Sequence, residues 1–264
     1  MMTMQTTNTD CNNTWNEPFP TENELIETVL SGTNLRQFLP RRGEDFEPVA
    51  TREFPIGMGK VDIVLGAANP SSLASRMQRQ NRTPTPIAGI EAVVLSCLFV
   101  KRGLTIETVA RRSGLGKKDI EHALVKLVEW ELCSQPTTTT YLRSPLSNQF
   151  AYLVSIEGKL TNWRKALEQA SRNRLFASYS YVVMDARRAK PAIERNALFR
   201  AHGVGLAVAC AKTQSVEIIC RPIPPHKPVS DVFSVIAKEA LTARVLKREV
   251  FLSENFTHAL SAQH

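Results

Sequence analysis

Apolar residues change their spacing several times along this chain, and each change marks a different kind of element. From Thr21 to Gly32, TENELIETVLSG, the spacing is helical, with Thr21 as a cap, Glu24 three residues later and Gly32 as a stop. TREFPIG and GKVDIVLG then predict two strands around a glycine-rich turn, GMG. Residues 66–86, GAANPSSLASRMQRQNRTPTP, are small, polar and proline-rich, which predicts a linker.

Helical spacing returns at residues 87–132. IAGIEAVVLSCLFVKRG predicts a helix ending at Gly103, and TIETVARRSG a short one between Thr105 and Gly114. KKDIEHALVKLVEWEL predicts a longer helix with Ile120, Leu124, Leu127 and Val128 on one side. CSQP, TTTT and YLRSP then suit two short strands about a polar turn. Helices followed by a β-ribbon is the order of a winged helix-turn-helix. After residue 151 the chain alternates: strand AYLVSIEGKL, helix TNWRKALEQASRNRLFAS, strand YSYVVMD, helix PAIERNALFRAHG, strands VGLAVACA and SVEIICRP. This is α/β material that resumes what residues 21–65 began. A last helix is expected over VSDVFSVIAKEALTARVLKREVFLSENFTHALS. The expected division is a disordered tail at 1–20, a discontinuous core of 21–66 plus 151–264, a linker at 67–86 and a winged-helix insertion at 87–150.

Composition narrows the class. Of 264 residues 43% are apolar, enough to fill cores, and no apolar run is long enough to span a membrane. The start, MMTMQTTNTDCNNTWNEPFP, lacks the basic and apolar stretches of a signal peptide. Five scattered cysteines without a C-x-x-C imply free thiols, a cytoplasmic setting and no zinc knuckle, and the five histidines do not cluster. The net charge of +8 suits a polyanion, and its distribution strengthens that reading. Residues 1–55 hold nine acids and four bases, residues 101–126 seven bases and three acids, and residues 159–175 five bases and one acid. Lys117, Lys118 and His122, with Arg111 and Arg112, are the candidate DNA contacts of the winged helix. Arg164, Lys165, Arg172 and Arg174 are a candidate phosphate-facing stripe, or a solvated helix face.

The chemistry concentrates at the end of one strand. Residues two apart on a strand share a face, so Glu157 and Lys159 project together. Charges in such a place must neutralise each other, meet water or hold a ligand. Asp62, the one acid in its strand, is the upstream partner. If the strands at 61–65 and 152–159 pair antiparallel, the start of one lies beside the end of the other, and Asp62 meets Glu157. Two carboxylates at one point suit Mg²⁺ or Mn²⁺, and an ammonium beside them suits phosphodiester hydrolysis.

Asp62 and Glu157-Gly158-Lys159, followed by a helix and the strand YSYVVMD, resemble the PD-(D/E)XK, or restriction-endonuclease-like, nuclease superfamily. The resemblance covers about residues 21–66 and 151–220. It implies a mixed sheet flanked by helices, with the winged helix inserted. It implies Asp62 and Glu157 as metal ligands and Lys159 as an aid to the nucleophile. It also implies roles for Glu24, where many members place a further acid, and for Gln169, where some place a glutamine. Val61 stands where the pattern has proline, and Asn173 leaves the Gln-x-x-x-Tyr pattern of one subgroup incomplete.

The expectation is therefore a metal-dependent DNA nuclease that grips duplex DNA through its winged helix. The alternative is a catalytically inactive DNA-binding regulator or assembly subunit with the same fold. Structural counterparts stay open: a salt-bridge cluster at the strand ends, a capping role for Glu24, a solvent-facing Gln169 and a winged helix used for protein contacts. A homodimer and a protein partner for targeting also stay open; no membrane partner is expected.

Overall fold

Helix α1 (Glu22–Leu30) starts at Thr21, whose hydroxyl accepts the Glu24 N–H, and α2 (Gly32–Phe38) follows it directly. Strands β1 (Glu47–Ile56) and β2 (Gly59–Ala68) pair as a long antiparallel hairpin. The computed structural model describes residues 17–39, 46–56, 59–79, 87–147, 149–223 and 228–252. Helix α3 (Pro70–Gln78) leaves β2, and α4 (Gly89–Cys97), α5 (Ile106–Ser113), α6 (Lys117–Glu129) and the hairpin β3 (Cys133–Thr137)–β4 (Thr140–Arg143) come next. The chain then re-enters the sheet as β5 (Phe150–Lys159) and continues through α7 (Trp163–Asn173), β6 (Tyr179–Asp185), α8 (Lys190–Ile193), α9 (Asn196–Ala201), β7 (Gly205–Cys210) and β8 (Ser215–Cys220). Helix α10 (Asp231–Leu246) and the two-residue β9 (Phe251–Leu252) complete it.

The fold is α/β. Its mixed sheet runs β8-β7-β6-β5-β2-β1-β9, six long strands with β9 at one edge. β5, β6 and β7 are parallel, and β2 and β8 run antiparallel to their neighbours. Helices cover both faces, so both faces bury apolar side chains, and period-two alternation sorts them. Ile63, Ile156, Tyr181, Val183 and Ala207 pack with Leu25, Ile26, Val29, Leu35 and Phe38 of α1 and α2. Val182, Met184, Leu206 and Val208 face the other way, onto Trp163, Ala166, Leu167 and Ala170 of α7 and Phe199 of α9. On that same face Val64 and Leu153 meet Leu73 of α3 and Leu241 of α10.

Several boundaries differ from the sequence-based expectation. Residues 67–86 are not a plain linker, because Ala67 and Ala68 end β2 and residues 70–78 are helical. Asn69 accepts the Ser72 N–H and Pro70 sits in the first turn, so Asn-Pro-Ser-Ser is a helix start rather than a breaker. Residues 80–86 lie outside the described residues, as do residues 1–16 of the expected tail. Phe19 of that tail is buried in the α1 core, and its N–H reaches Asp185 Oδ2 at 3.3 Å. The helix expected to end at Gly103 ends at Cys97, because the chain turns extended to bury Leu98 and to lay the Phe99 carbonyl against the Arg143 N–H. The helix expected over 191–203 is two short pieces, and the expected C-terminal helix stops at Leu246 before β9. Helices α4, α5 and α6 and the β3–β4 hairpin share a core of Leu95, Val109, Ile120, Leu124 and Leu127, which α10 completes with Val235. The segment thus leans on the C-terminal helix, although its own span ends before β5 begins at Phe150.

Candidate functional site

Asp62 and Glu157 meet because of strand register. β2 and β5 pair antiparallel with Ile63 opposite Ile156, so Asp62, one step earlier, falls across from Glu157, one step later. Asp62 Oδ2 accepts the Gly158 N–H at 2.9 Å and a hydrogen from Lys159 Nζ at 3.4 Å. The three residues are therefore brought together as the sequence predicted. Gly158 between them has its own reason. A Cβ there would come within 2.6 Å of Ile26 Cδ1, so any larger residue would have to push aside the Ile26 and Leu25 side chains of α1.

The two carboxyls sit in unlike surroundings. Asp62 is partly open, whereas Glu157 is 1% exposed. Asn173 Nδ2 donates to Glu157 Oε1 at 2.7 Å, and Glu157 Oε2 is buried without a hydrogen-bond partner. Burial, reinforced by the neighbouring Asp62 carboxyl, pushes the Glu157 pKa up to about 7; Asn173 and Lys159 pull it back. Near neutral pH the Glu157 carboxyl is therefore only partly ionised. Lys159 is also held by Glu22 Oε2 at 3.0 Å and by the Gly158 carbonyl at 2.8 Å. Burial works against its ammonium, but Asp62 and Glu22 prevail and keep its pKa above the ordinary lysine value.

Beside Glu157 lies a cavity of about 80 Å³, lined by Gln169, Arg172 and Asn173 of α7 and by Ile56, Gly59 and Lys60 at the β1–β2 end. Gln169 faces this cavity rather than solvent, and its Oε1 is a second buried oxygen without a partner. Glu24 is exposed and takes the capping role left open for it rather than the site role that the resemblance implied: its N–H is accepted by the Thr21 hydroxyl, while Glu22 is the acid of α1 that reaches Lys159. Sequence reasoning missed Glu22, Asn173 and Lys60. Asn173 carried a readable sign, because it falls on the buried stripe Trp163, Ala166, Leu167, Ala170 and is the polar residue in it. Nothing in the sequence distinguished Glu22 or Lys60 from other surface charges.

The cations expected to touch DNA are dispersed. Arg111, Lys118 and His122 are exposed on α5 and α6, and Lys117 is exposed but paired with Glu107 at 3.1 Å. The Arg112 guanidinium stacks on Phe99 at 4.8 Å from the ring centre. On α7, Arg164 stacks on Trp163 at 4.7 Å, and Lys165 and Arg172 are exposed. Arg174 departs from the expected stripe. Its Nη1 donates to the His202 carbonyl at 2.5 Å, so it ties the end of α7 to the turn before β7. Cys97, Cys133, Cys210 and Cys220 are buried and not in disulfides; Cys11 lies outside the described residues. No described helix is long and apolar enough to cross a membrane.

Comparison with known proteins gave no match: no family model fits the chain, and neither a curated protein nor a solved structure is significantly similar to it.

Asp62 and Glu157 are the residues at the strand ends that could hold a divalent cation of the Mg²⁺ type. Among the described residues no group of three or more His, Cys, Asp or Glu side chains is placed to hold a metal ion. Mg²⁺ does not need one, since it keeps waters and commonly uses one or two carboxylates together with substrate oxygens. Glu157 Oε2, buried without a partner beside the Asp62 carboxyl, is the oxygen left over for such an ion.

Proposed function

We propose that this protein is a metal-dependent nuclease of the PD-(D/E)XK kind, hydrolysing phosphodiester bonds in DNA. The observation that carries the reading is the meeting of Asp62, Glu157 and Lys159 on two neighbouring strands, with a buried carboxylate oxygen left without a partner. The order α1, β1, β2, β5, α7, β6 around that meeting supports it, as does the net charge of +8.

In this reading Asp62 and Glu157 hold Mg²⁺ or Mn²⁺. The bound cation would lower the pKa of an attacking water and offset charge on the phosphoryl oxygens. Glu157 must be ionised to serve, so its carboxyl loses its proton as the site loads. Asn173 fixes the Glu157 carboxyl by one oxygen and leaves the other free to bind. Lys159, charged and held at the mouth by Glu22, orients the water or stabilises the charge that develops on the phosphate. The three helices and hairpin at 87–147 act as a winged helix that grips duplex DNA through Arg111, Lys118 and His122.

A second reading has its own support. All three Lys159 contacts, to Glu22, Asp62 and the Gly158 carbonyl, are made within the protein. A closed cluster of this kind fits a DNA-binding regulator or assembly subunit without catalysis. Incubation with supercoiled and linear duplex DNA, in Mg²⁺, Mn²⁺ or chelator, separates the two. Cutting that needs metal and is lost in Glu157→Ala and Lys159→Ala is the expected result. Salt-sensitive DNA retention with no cutting at any metal concentration would favour the regulator.

A further inference from the structure

The cavity beside Glu157 has a floor and a rim of opposite character. Its floor presents two acceptor oxygens without donors, Glu157 Oε2 and Gln169 Oε1. Its rim carries two cations from different elements, Lys60 at the start of β2 and Arg172 in the last turn of α7. Lys60 is largely exposed, and Arg172 is exposed and makes no ion pair among the described residues. A bare anion deep in this cavity would meet acceptor oxygens, so a phosphate finds its counter-charges at the rim, on Lys60 and Arg172.

Lys60 also has an internal competitor. Glu53 pairs with it at 3.2 Å, and Glu53 stands across β1–β2 from Asp62, bracketed by the pairs Arg52–Ile63 and Phe54–Val61. Its φ of 48° is left-handed, which is costly for a residue with a Cβ. The kink is held from outside the hairpin. Arg244 of α10 donates to the Arg52 carbonyl at 2.8 Å and the Glu53 carbonyl at 3.3 Å, and stacks on Phe54.

We infer that Lys60 and Arg172 form a clamp for a backbone phosphate of nucleic acid beside the Asp62–Glu157 site, and that Glu53 occupies Lys60 until that phosphate displaces it. The inference rests on the reading of the site as one that acts on nucleic acid. Lys60 and Arg172 are positioning residues in it, and Glu53 works against them, so their substitutions move affinity in opposite directions.

The test is fluorescence anisotropy of a labelled duplex oligonucleotide in chelator, where no cutting occurs, across about 50–200 mM salt. Lys60→Gln and Arg172→Gln are each expected to weaken binding about three- to tenfold and to flatten the salt slope by about one. Glu53→Gln is expected to tighten binding about twofold, since the pair it breaks is exposed and weak. Thermal melts check that all three variants fold. With Mg²⁺ present, the two clamp variants raise KM and leave kcat near the wild-type value. Absence of DNA binding by the wild type overturns the clamp, as does wild-type affinity and slope in both clamp variants. So does weaker binding by Glu53→Gln. If the clamp variants weaken binding but nothing is ever cut, the clamp stands and the hydrolytic reading falls. If DNA is cut with unchanged KM in both, the clamp falls and the hydrolytic reading stands.

Discussion

Arg76 and Glu239 lie 2% and 1% exposed and meet at 2.7 Å, a guanidinium against a carboxylate. Glu157 is as deeply buried but meets another carboxyl, with its cation shared among Asp62, Glu22 and a backbone carbonyl. Both clusters tie distant parts of the chain together, α3 to α10 in one case and β2 to β5 in the other. Burial of charge therefore does not mark a functional site by itself. What separates the two is the balance of charge: the first cluster opposes its charges, and the second sets like groups together and lines a cavity with the excess. Neither is fully satisfied, since Arg76 Nε and Nη1 also lack partners, but the two atoms left over in the first are donors on a guanidinium already paired with a carboxylate.

The largest expected effect breaks the matched cluster. Glu239→Ala leaves Arg76 buried without its counter-charge, which costs about 3–5 kcal/mol of folding stability, measured by urea denaturation. Burial already pushes the Glu239 carboxyl up and the Arg76 pKa down, and their pairing opposes both. A paired replacement, Arg76→Met with Glu239→Met, is expected to recover most of the loss. A mild single variant would erase the contrast between the clusters.

Glu157→Gln sharpens the contrast from the other side, because it should stabilise the fold at neutral and higher pH. Gln mimics the protonated carboxyl, keeping an oxygen for Asn173 and gaining a donor toward Asp62. The folded-state pKa of Glu157, about 7, lies above its ordinary value of 4.5. The stability linked to its protonated form is thus complete below about pH 4.5 and is lost as the pH rises through about 7. The variant is expected to exceed the wild type by on the order of 2–3 kcal/mol near pH 8 and to match it near pH 4.5. Denaturation at several pH values in chelator reads the difference; a wild type more stable at pH 8 would sink the idea that these carboxyls strain each other.

Much of this contrast was legible in the sequence, and the illegible parts have physical causes. Period-two spacing gave the strands, and an antiparallel pairing put Asp62 beside Glu157, because register is a one-dimensional property that short runs encode. The matched cluster was invisible for a different reason. Arg76 lies in a stretch whose Asn, Pro and Ser residues read as a breaker, and those same residues cap and start α3. Its partner Glu239 lies 163 residues away on a helix that packs against it. Tertiary packing of helices on a sheet is set by contacts that no local pattern holds. The same limit hid Lys60, which becomes notable only when the end of α7 brings Arg172 to the same cavity.

The choice between Glu22 and Glu24 gives the smallest and most local prediction. Glu24 stands three residues after Thr21, which is capping-box spacing, and the Thr21 hydroxyl accepts the Glu24 N–H and donates to Glu24 Oε1 at 3.4 Å. Spacing therefore explained Glu24 in full and left no charge over for the site, while Glu22, with no motif of its own, points across to Lys159 at 3.0 Å. Thr21→Ala should cost about 1 kcal/mol through the lost cap. Glu22→Gln should cost less than about 1 kcal/mol, because that ion pair is half exposed. The two acids differ in what they do to Lys159. Glu22 helps hold its pKa above the ordinary value, so Glu22→Gln lowers it, and Glu24→Gln leaves it in place. NMR titration of the isotopically methylated lysine reads this without any assay of cutting. An equal fall in both variants would mean that α1 acts on the site through its general charge, and the specific link from the first helix to the strand-end lysine would be lost.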